Sequence, residues 1–123
     1  MTDHTPALVA LLVALDTRIT VHDGTGEDLS PGPRLHVYGG TQNPENRSYG
    51  HTAPNRGTVW QVVCVSNTQA GARTLSRRVT DTLDSRVLGG SLLRVRFVSQ
   101  PIEDRDDPSA WRWSSTVEIT HHI

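Results

Sequence analysis

The chain has 123 residues, of which 35% are hydrophobic, and its formal net charge is -1. This length fits one domain, and the small net charge gives no overall attraction to nucleic acid or membranes. The single Cys excludes an intramolecular disulfide framework and a zinc site built on paired cysteines. Few hydrophobic residues are available for a core, which favours burial of further apolar surface against a second copy or a partner.

A first helix is predicted from Thr5, as the N-cap, through Pro6 in the first helical position, to about Arg18. Its apolar run, residues 7–15, occupies every face, so we expect burial on more than one side. The run is too short to span a bilayer, and no Lys or Arg precedes it as in a signal peptide. We therefore expect a reducing, cytoplasm-like compartment and no membrane contact.

Two strands are predicted next, at residues 19–22 and 34–38, joined by a loop rich in Gly, Asp, Ser and Pro. Residues 39–57 follow without hydrophobic periodicity, and long loops of this kind are usually functional or disordered. We expect an assembly arm or a binding loop there. A plain spacer is the alternative.

The strand at residues 58–66 is apolar on both faces, which predicts a central position with cover on both sides. Asn67 and Thr68 can cap a second helix over residues 69–88, which the Gly pair after it would stop. Spacings of three and four predict one core stripe on this helix, formed by Ala72, Leu75, Val79, Leu83 and Val87.

Two further strands are predicted at residues 92–99 and 111–120, separated by an acidic loop at residues 101–110. Alternation on the first of them predicts Leu93, Val95 and Phe97 inward, and Arg94 and Arg96 outward. The fold class is therefore α+β: a mostly antiparallel sheet of about four to five strands packed by two helices.

No pattern of catalytic or metal-ligating residues is present. The six His residues share no ligand spacing, and Gly-x-Ser-x-Gly and phosphate-loop sequences are absent. Cys64 lies within an apolar strand and is expected to be a small buried hydrophobe. We expect no enzymatic activity, no metal and no cofactor.

Basic residues offer the other functional signal, because all 12 are Arg. Arg73 and Arg77 are four residues apart and share a helix face, and Arg94 and Arg96 follow on the next strand. This patch supports nucleic-acid binding only weakly, since exposed aromatic residues and a net positive charge are missing. The acidic loop beside a basic strand is alternatively a docking surface for a partner.

Several segments together resemble a known family. They are TVHDG at residues 20–24, RLHVYG at 34–39, VWQVVCVSN at 59–67 leading into AGAR at 70–73, and PIEDRDDP at 101–108 before a Trp-rich closing strand. This pattern is similar to the small tail-terminator, or tail-completion, proteins of long-tailed phages, in particular those of actinobacterial hosts. The absence of Lys agrees with a GC-rich host.

The resemblance implies a homo-oligomeric ring, usually a hexamer, located in the virion after assembly in the host cytoplasm. Such a ring would cap the tail tube protein, stop its polymerisation and present its other face to the head–tail connector protein. DNA would pass through the lumen without specific binding. Alternatives are a head-closure, connector or minor capsid protein, a small Arg-rich nucleic-acid-binding protein, or a host α+β dimer of unknown task.

The resemblance carries over no catalytic or contact residue, so candidate interface residues come from the patterns above. We expect subunit or partner contacts from the first helix, the long loop, the basic patch and the acidic loop. These candidates are Leu12, Val13, Arg47, Tyr49, Arg73, Arg77, Arg94, Arg96, Asp104, Asp106 and Asp107.

Overall fold

The computed structural model of the chain describes residues 4–24, 32–42, 57–108 and 110–122. Two helices and seven strands occupy these ranges, so the α+β class is confirmed in its broad form. In chain order the elements are α1 (Thr5–Val13), β1 (Thr20–Asp23), β2 (Arg34–Gln42), β3 (Gly57–Ser66), α2 (Gln69–Leu83), β4 (Val87–Leu88), β5 (Ser91–Val98), β6 (Ile102–Glu103) and β7 (Trp113–His122).

The sheet is mixed and has more strands than predicted. Its order is β1-β2-β3-β7-β5-β4, and β6 also pairs with β7. The β1–β2 pair is parallel and the other pairs are antiparallel. The expectation of four to five strands missed β4 and β6, because two residues are too few to show a strand's alternation.

Both helices are shorter than predicted. The α1 helix ends at Val13 rather than near Arg18, and Thr5 is its first residue, whereas His4 is the N-cap and provides no side-chain cap bond. The α2 helix ends at Leu83 rather than Leu88. Ser85 adopts a positive φ of 64° just after it, and the chain turns there into β4.

The cap and core stripe of α2 are confirmed except at their last residue. The Thr68 hydroxyl accepts a hydrogen bond from the N–H of Gly71 at 2.9 Å, which satisfies one free donor at the helix start. Four residues of the predicted stripe are buried, and Val87 instead lies in β4 with 63% of its surface exposed. The buried four are Ala72, Leu75, Val79 and Leu83.

One hydrophobic core joins both helices to one face of the sheet. Leu8 and Leu12 of α1 pack in the same buried cluster as the α2 stripe and the inward residues of the central strands. Those strand residues are Leu35, Val37, Trp60, Val62, Cys64, Leu93, Val117 and Ile119. The central position of β3 is confirmed, but its cover on two sides is not, because Gln61 on the other face is exposed.

The segment at residues 39–57, predicted as a long loop, begins and ends in strands. Gly39–Gln42 continues β2 and Gly57 begins β3, so both ends belong to the sheet. Residues 43–56, including Arg47 and Tyr49, lie outside the described residues. The expectation of an assembly arm therefore stays a prediction.

A polar cluster ties the turn after α1 to α2. Asp16 accepts hydrogen bonds from the N–H and the guanidinium of Arg18, and its other oxygen lies 3.3 Å from Nη1 of Arg78. The N–H of Arg18 contributes most, and these donors together lower the pKa of Asp16 to about 2. Arg78 thus contacts the turn after α1, at Asp16 and at the C=O of Leu15.

The indole of Trp60 is fully buried, and its Nε1–H donates to the hydroxyl of Thr5 at 3.0 Å. Replacing Thr5 with Val keeps the side-chain shape but leaves this buried donor without that acceptor. We expect a loss of about 1–3 kcal/mol in the free energy of unfolding, measured by urea denaturation. Thr74→Val, the same change at an exposed position of α2, is the control. Equal effects of the two substitutions would contradict this role of Thr5.

Candidate functional site

The first helix divides the predicted interface pair Leu12 and Val13. Leu12 is fully buried in the protein's own core, whereas Val13 is 51% exposed. Leu12 was therefore wrongly predicted as an interface residue, because an all-round apolar run does not show which face meets the sheet. The outward side of α1 presents a small, exclusively apolar surface, formed by Pro6, Ala7, Ala10, Val13 and Ala14.

The basic residues lie around the edge of the sheet formed by β5. Arg73 and Arg77 line a groove of about 280 Å³ between α2 and β5, together with Ser76, Thr80 and Val98. Arg94 and Arg96 are exposed on β5 itself. The predicted outward positions of Arg94 and Arg96 are confirmed, and Arg73 and Arg77 are exposed on α2.

A β-bulge changes the outer half of β5. Val95 pairs with Ile119 but Phe97 pairs with Glu118, so one residue is inserted between them. The insertion turns Phe97 away from the core, and its side chain is 58% exposed. The expectation that Phe97 faces inward is wrong, because simple alternation does not anticipate the extra residue.

The acidic loop is a compact turn that contains β6, rather than an irregular loop. The carboxylate of Asp104 accepts the N–H of Asp106 at 3.2 Å, and its C=O accepts the N–H of Asp107 at 3.2 Å. Glu103 lies 3.8 Å from Arg105 and 3.9 Å from Arg112. Two acidic side chains of the turn, Asp104 and Glu103, thus have partners within the turn, and Glu103 also contacts Arg112 just beyond it.

This turn borders the sheet face opposite the helices. Asp104 and Asp107 line a depression of about 220 Å³ that includes Arg34 and Arg112. Its remaining lining residues are His36, Tyr38, Val63, Val65, Trp111, Trp113 and Ser114. The basic residues beside the acidic turn are therefore Arg34 and Arg112, and not the predicted Arg94 and Arg96.

Sequence reasoning missed a stack of rings on the same face. His22 and His36 are register partners on β1 and β2, and their ring centroids lie 5.0 Å apart. The ring of Tyr38 lies 6.3 Å beyond His36. Alternation on β2 places residues 34, 36 and 38 on one face, but the pairing of His22 with His36 depends on the parallel register.

Both ring nitrogens of His36 have hydrogen-bond partners. Its Nε2 accepts from Nε of Arg34 at 3.1 Å, so the proton is assigned to Nδ1, which donates to the C=O of Gly24 at 3.1 Å. Burial lowers the pKa of His36 below its ordinary 6.5, the hydrogen bond to the C=O of Gly24 opposes this shift, and the charges of His22 and Arg34 add to it.

His121 is a second buried His, and no pattern in the sequence predicted its burial. Its ring is fully buried, and Nε2 donates to the C=O of Leu88 at 2.5 Å. The ring of His4 meets it edge-on at 4.9 Å. Nδ1 of His121 has no hydrogen-bond partner among the described residues. The hydrogen bond from His121 to Leu88 links the end of β7 to the end of β4.

The described residues hold neither a metal-binding group nor a helix that could span a membrane. No group of three or more His, Cys, Asp or Glu is arranged there to hold a metal ion. None of the described helices is long and apolar enough to cross a membrane. Cys64 is fully buried, as predicted, and burial raises the pKa of its thiol to about 12.

Comparisons with known proteins place the chain in no family. No family model matches it, and no curated protein matches it. Among solved structures, it is similar to a chain of "Virion of native gene transfer agent (GTA) particle", with 15% identity and a TM-score of 0.47. The match covers 94% of this chain and 83% of that chain. Likeness at this level carries no argument about function.

The lowered pKa of His36 predicts acid sensitivity. Folding favours the neutral ring, so this contribution is complete above about pH 6.5 and is lost as the pH falls below that value. We expect the free energy of unfolding to decline from about pH 7 to about pH 5, and NMR titration to give His36 a pKa below 6.5. His36→Gln should flatten the decline, whereas the control His22→Gln should retain most of it. An unchanged slope in His36→Gln would contradict this assignment.

The raised pKa and full burial of Cys64 predict an inert thiol, because the thiolate is the reactive form. A thiol-reactive reagent should leave the native protein unlabelled and should label one site after unfolding in urea. Mass spectrometry measures both states. Rapid labelling of the native protein would contradict the burial of Cys64.

Proposed function

We propose that this protein is a structural component of a long-tailed phage virion. Copies of it form a homo-oligomeric ring, usually a hexamer in the family that it resembles, which ends the tail tube and receives the head–tail connector. DNA passes through the lumen without specific binding. The ring forms in the host cytoplasm and remains in the virion, with no enzymatic activity and no cofactor.

The outward face of α1 is the single observation that best supports assembly. The five residues that form this face are all exposed, and none of them is polar. Exposed apolar surface on a small domain commonly marks a protein contact. The face carries no charged residues that could pair it with a second copy of itself. In a closed ring, each copy of the face contacts a different surface of the next subunit, so no copy stays exposed. A ring therefore buries this surface on every subunit.

Two observations about the sheet fit the same proposal. Helices cover one face, and the opposite face carries the partly exposed Val59 and Val63 as well as the exposed Tyr38. A ring-forming adaptor needs separate surfaces for its neighbours, for the tube and for the connector. The exposed helix face, the open sheet face and the basic edge supply distinct surfaces of this kind.

Tail capping in vitro tests the function. The protein is added to polymerising tail tube protein from the same phage genome, and tubes are measured by negative-stain electron microscopy. We expect shorter tubes with a ring at one end, and capped tubes that accept connector-bearing heads. Uncapped tubes together with binding to the connector alone would assign the protein to head closure. Specific binding to DNA without any ring would assign it to the nucleic-acid-binding class.

The neighbouring residues Val13 and Leu12 separate assembly from folding. Val13→Asp places a charge on the exposed helix face, so we expect a folded subunit that no longer forms rings. Leu12→Asp buries an unpaired charge in the core, so we expect it to unfold the subunit. Light scattering after size-exclusion chromatography measures assembly, and circular dichroism measures folding.

Thr17→Asp is the matched control for Val13→Asp, because it adds the same charge at an exposed position just beyond α1. It should leave both folding and ring formation intact. A wild-type protein that stays monomeric at high concentration, both alone and with tail tubes, would contradict the ring. Normal rings from Val13→Asp would show that a different surface forms the subunit contact.

A further inference from the structure

One edge of β5 is open. β7 pairs with the first edge of β5, whereas β4 pairs with the second edge only at Ser91 and Leu92. The N–H of Leu93 donates to the C=O of Arg86 at 2.7 Å and its C=O accepts the N–H of Ser85 at 2.8 Å, so the second edge is also engaged at Leu93. From Leu93 towards Val98, no strand within the described parts of the chain pairs with it. An unpaired strand edge can accept another extended chain through main-chain hydrogen bonds.

Hydrogen bonds on either side show where the edge becomes available. The N–H of Val95 points outward and donates to Oδ1 of Asp84 at 3.0 Å. The N–H of Ser99 points inward and donates to the C=O of Thr116 at 2.8 Å. The bulge between Val95 and Phe97 shifts the alternation of backbone groups by one residue, so the alternation near Val98 is counted from Ser99. Since the N–H of Ser99 points towards β7, the N–H and C=O of Val98 lie on the open edge.

The groove beside this edge is basic. Val98 is one of its lining residues, and both of the charged residues that line it, Arg73 and Arg77, come from α2. Val98 is 41% exposed, so the groove has an apolar wall next to its two guanidinium groups. Arg94 and Arg96 add two exposed cations on β5.

These charges select against a second copy of the same edge. Two β5 edges side by side would bring Arg94 and Arg96 towards their own counterparts, and like charges across an interface are unfavourable. The chain's own acidic turn is also a poor occupant, since the carboxylate of Asp104 already accepts the N–H of Asp106. Glu103 lies within 4 Å of two Arg side chains in the same way.

We propose that the open edge of β5 binds an extended acidic segment of a different polypeptide. The segment adds as a strand at Val98 and places alternate carboxylates beside Arg73 and Arg77. Nucleic acid is the weaker candidate, because it would contact the Arg side chains without using the N–H and C=O of Val98. This site does not depend on the ring, so the failure of either proposal leaves the other standing.

The first experiment tests strand addition with a probe peptide. A heptapeptide that alternates Glu and Val is titrated into ¹⁵N-labelled protein, and amide exchange at Val98 is followed by NMR. We expect the Val98 amide to become protected while amides of α1 stay unchanged. Absence of binding up to roughly 1 mM peptide would overturn the proposal.

Two modified peptides separate strand addition from charge attraction. One carries N-methyl groups on its Val residues, and the other carries them on its Glu residues. A strand added to one edge uses the N–H of alternate residues only. We expect one modified peptide to lose binding and the other to keep it. Equal binding of both would overturn strand addition and leave electrostatic attraction alone.

Charge is tested with variants at exposed positions. Arg77→Glu should weaken binding of the Glu/Val peptide by about three- to tenfold. Arg105→Glu makes the same change in net charge on the acidic turn and should leave the affinity unaltered. Equal losses in the two variants would overturn a local site.

Two further outcomes assign the edge to a different occupant. A single-stranded oligonucleotide that displaces the peptide and binds more tightly would assign the groove to nucleic acid. Loss of self-association in Arg77→Glu would assign it to a second copy of this chain. Either result overturns the proposal.

Discussion

The structure depends on the burial of Trp60 in the central strand. Its indole is the largest side chain in the core, and its N–H requires an acceptor that only a neighbouring element can supply. Thr5 supplies the acceptor at the start of α1, which fixes the helix against the sheet. Gly40 makes this approach possible: it adopts a positive φ of 91°, and a Cβ there would meet Thr5 and the indole. One polar contact thereby sets the position of a helix that has little amphipathic pattern of its own.

The position of α1 against the sheet determines which of its residues are buried and which are exposed. Once Leu8 and Leu12 face the sheet, the opposite side of a nine-residue helix made mostly of apolar residues must face outward. A strongly amphipathic helix would have presented polar residues there. In a free subunit this sequence leaves apolar surface exposed to water. The same surface is available as a contact for assembly. This asymmetry of α1, rather than any site of chemistry, supports the proposed ring.

Much of the fold was predictable from residue patterns, and the exceptions have physical causes. The five longer strands, the Thr68 cap and most of the α2 stripe follow from periodicity and local hydrogen bonding. Phe97 was misplaced because a bulge inserts one residue into β5. Leu12 and Val13 could not be told apart, since both are apolar and only tertiary packing separates them. The stack of His22 on His36 likewise depends on a parallel strand pair, which no local pattern specifies.

The bulge and the end of α2 together explain why β5 offers an open edge. Asp84, at the end of α2, uses its carboxylate to cover the N–H of Val95, so the edge is protected up to that residue. The inserted residue then shifts Phe97 to the opposite face and leaves Val98 beside the groove. Exposed Arg side chains flank this short stretch, and charge of one sign discourages pairing between identical edges. Because this edge is both short and basic, it disfavours strand pairing with most extended chains and favours pairing with acidic ones.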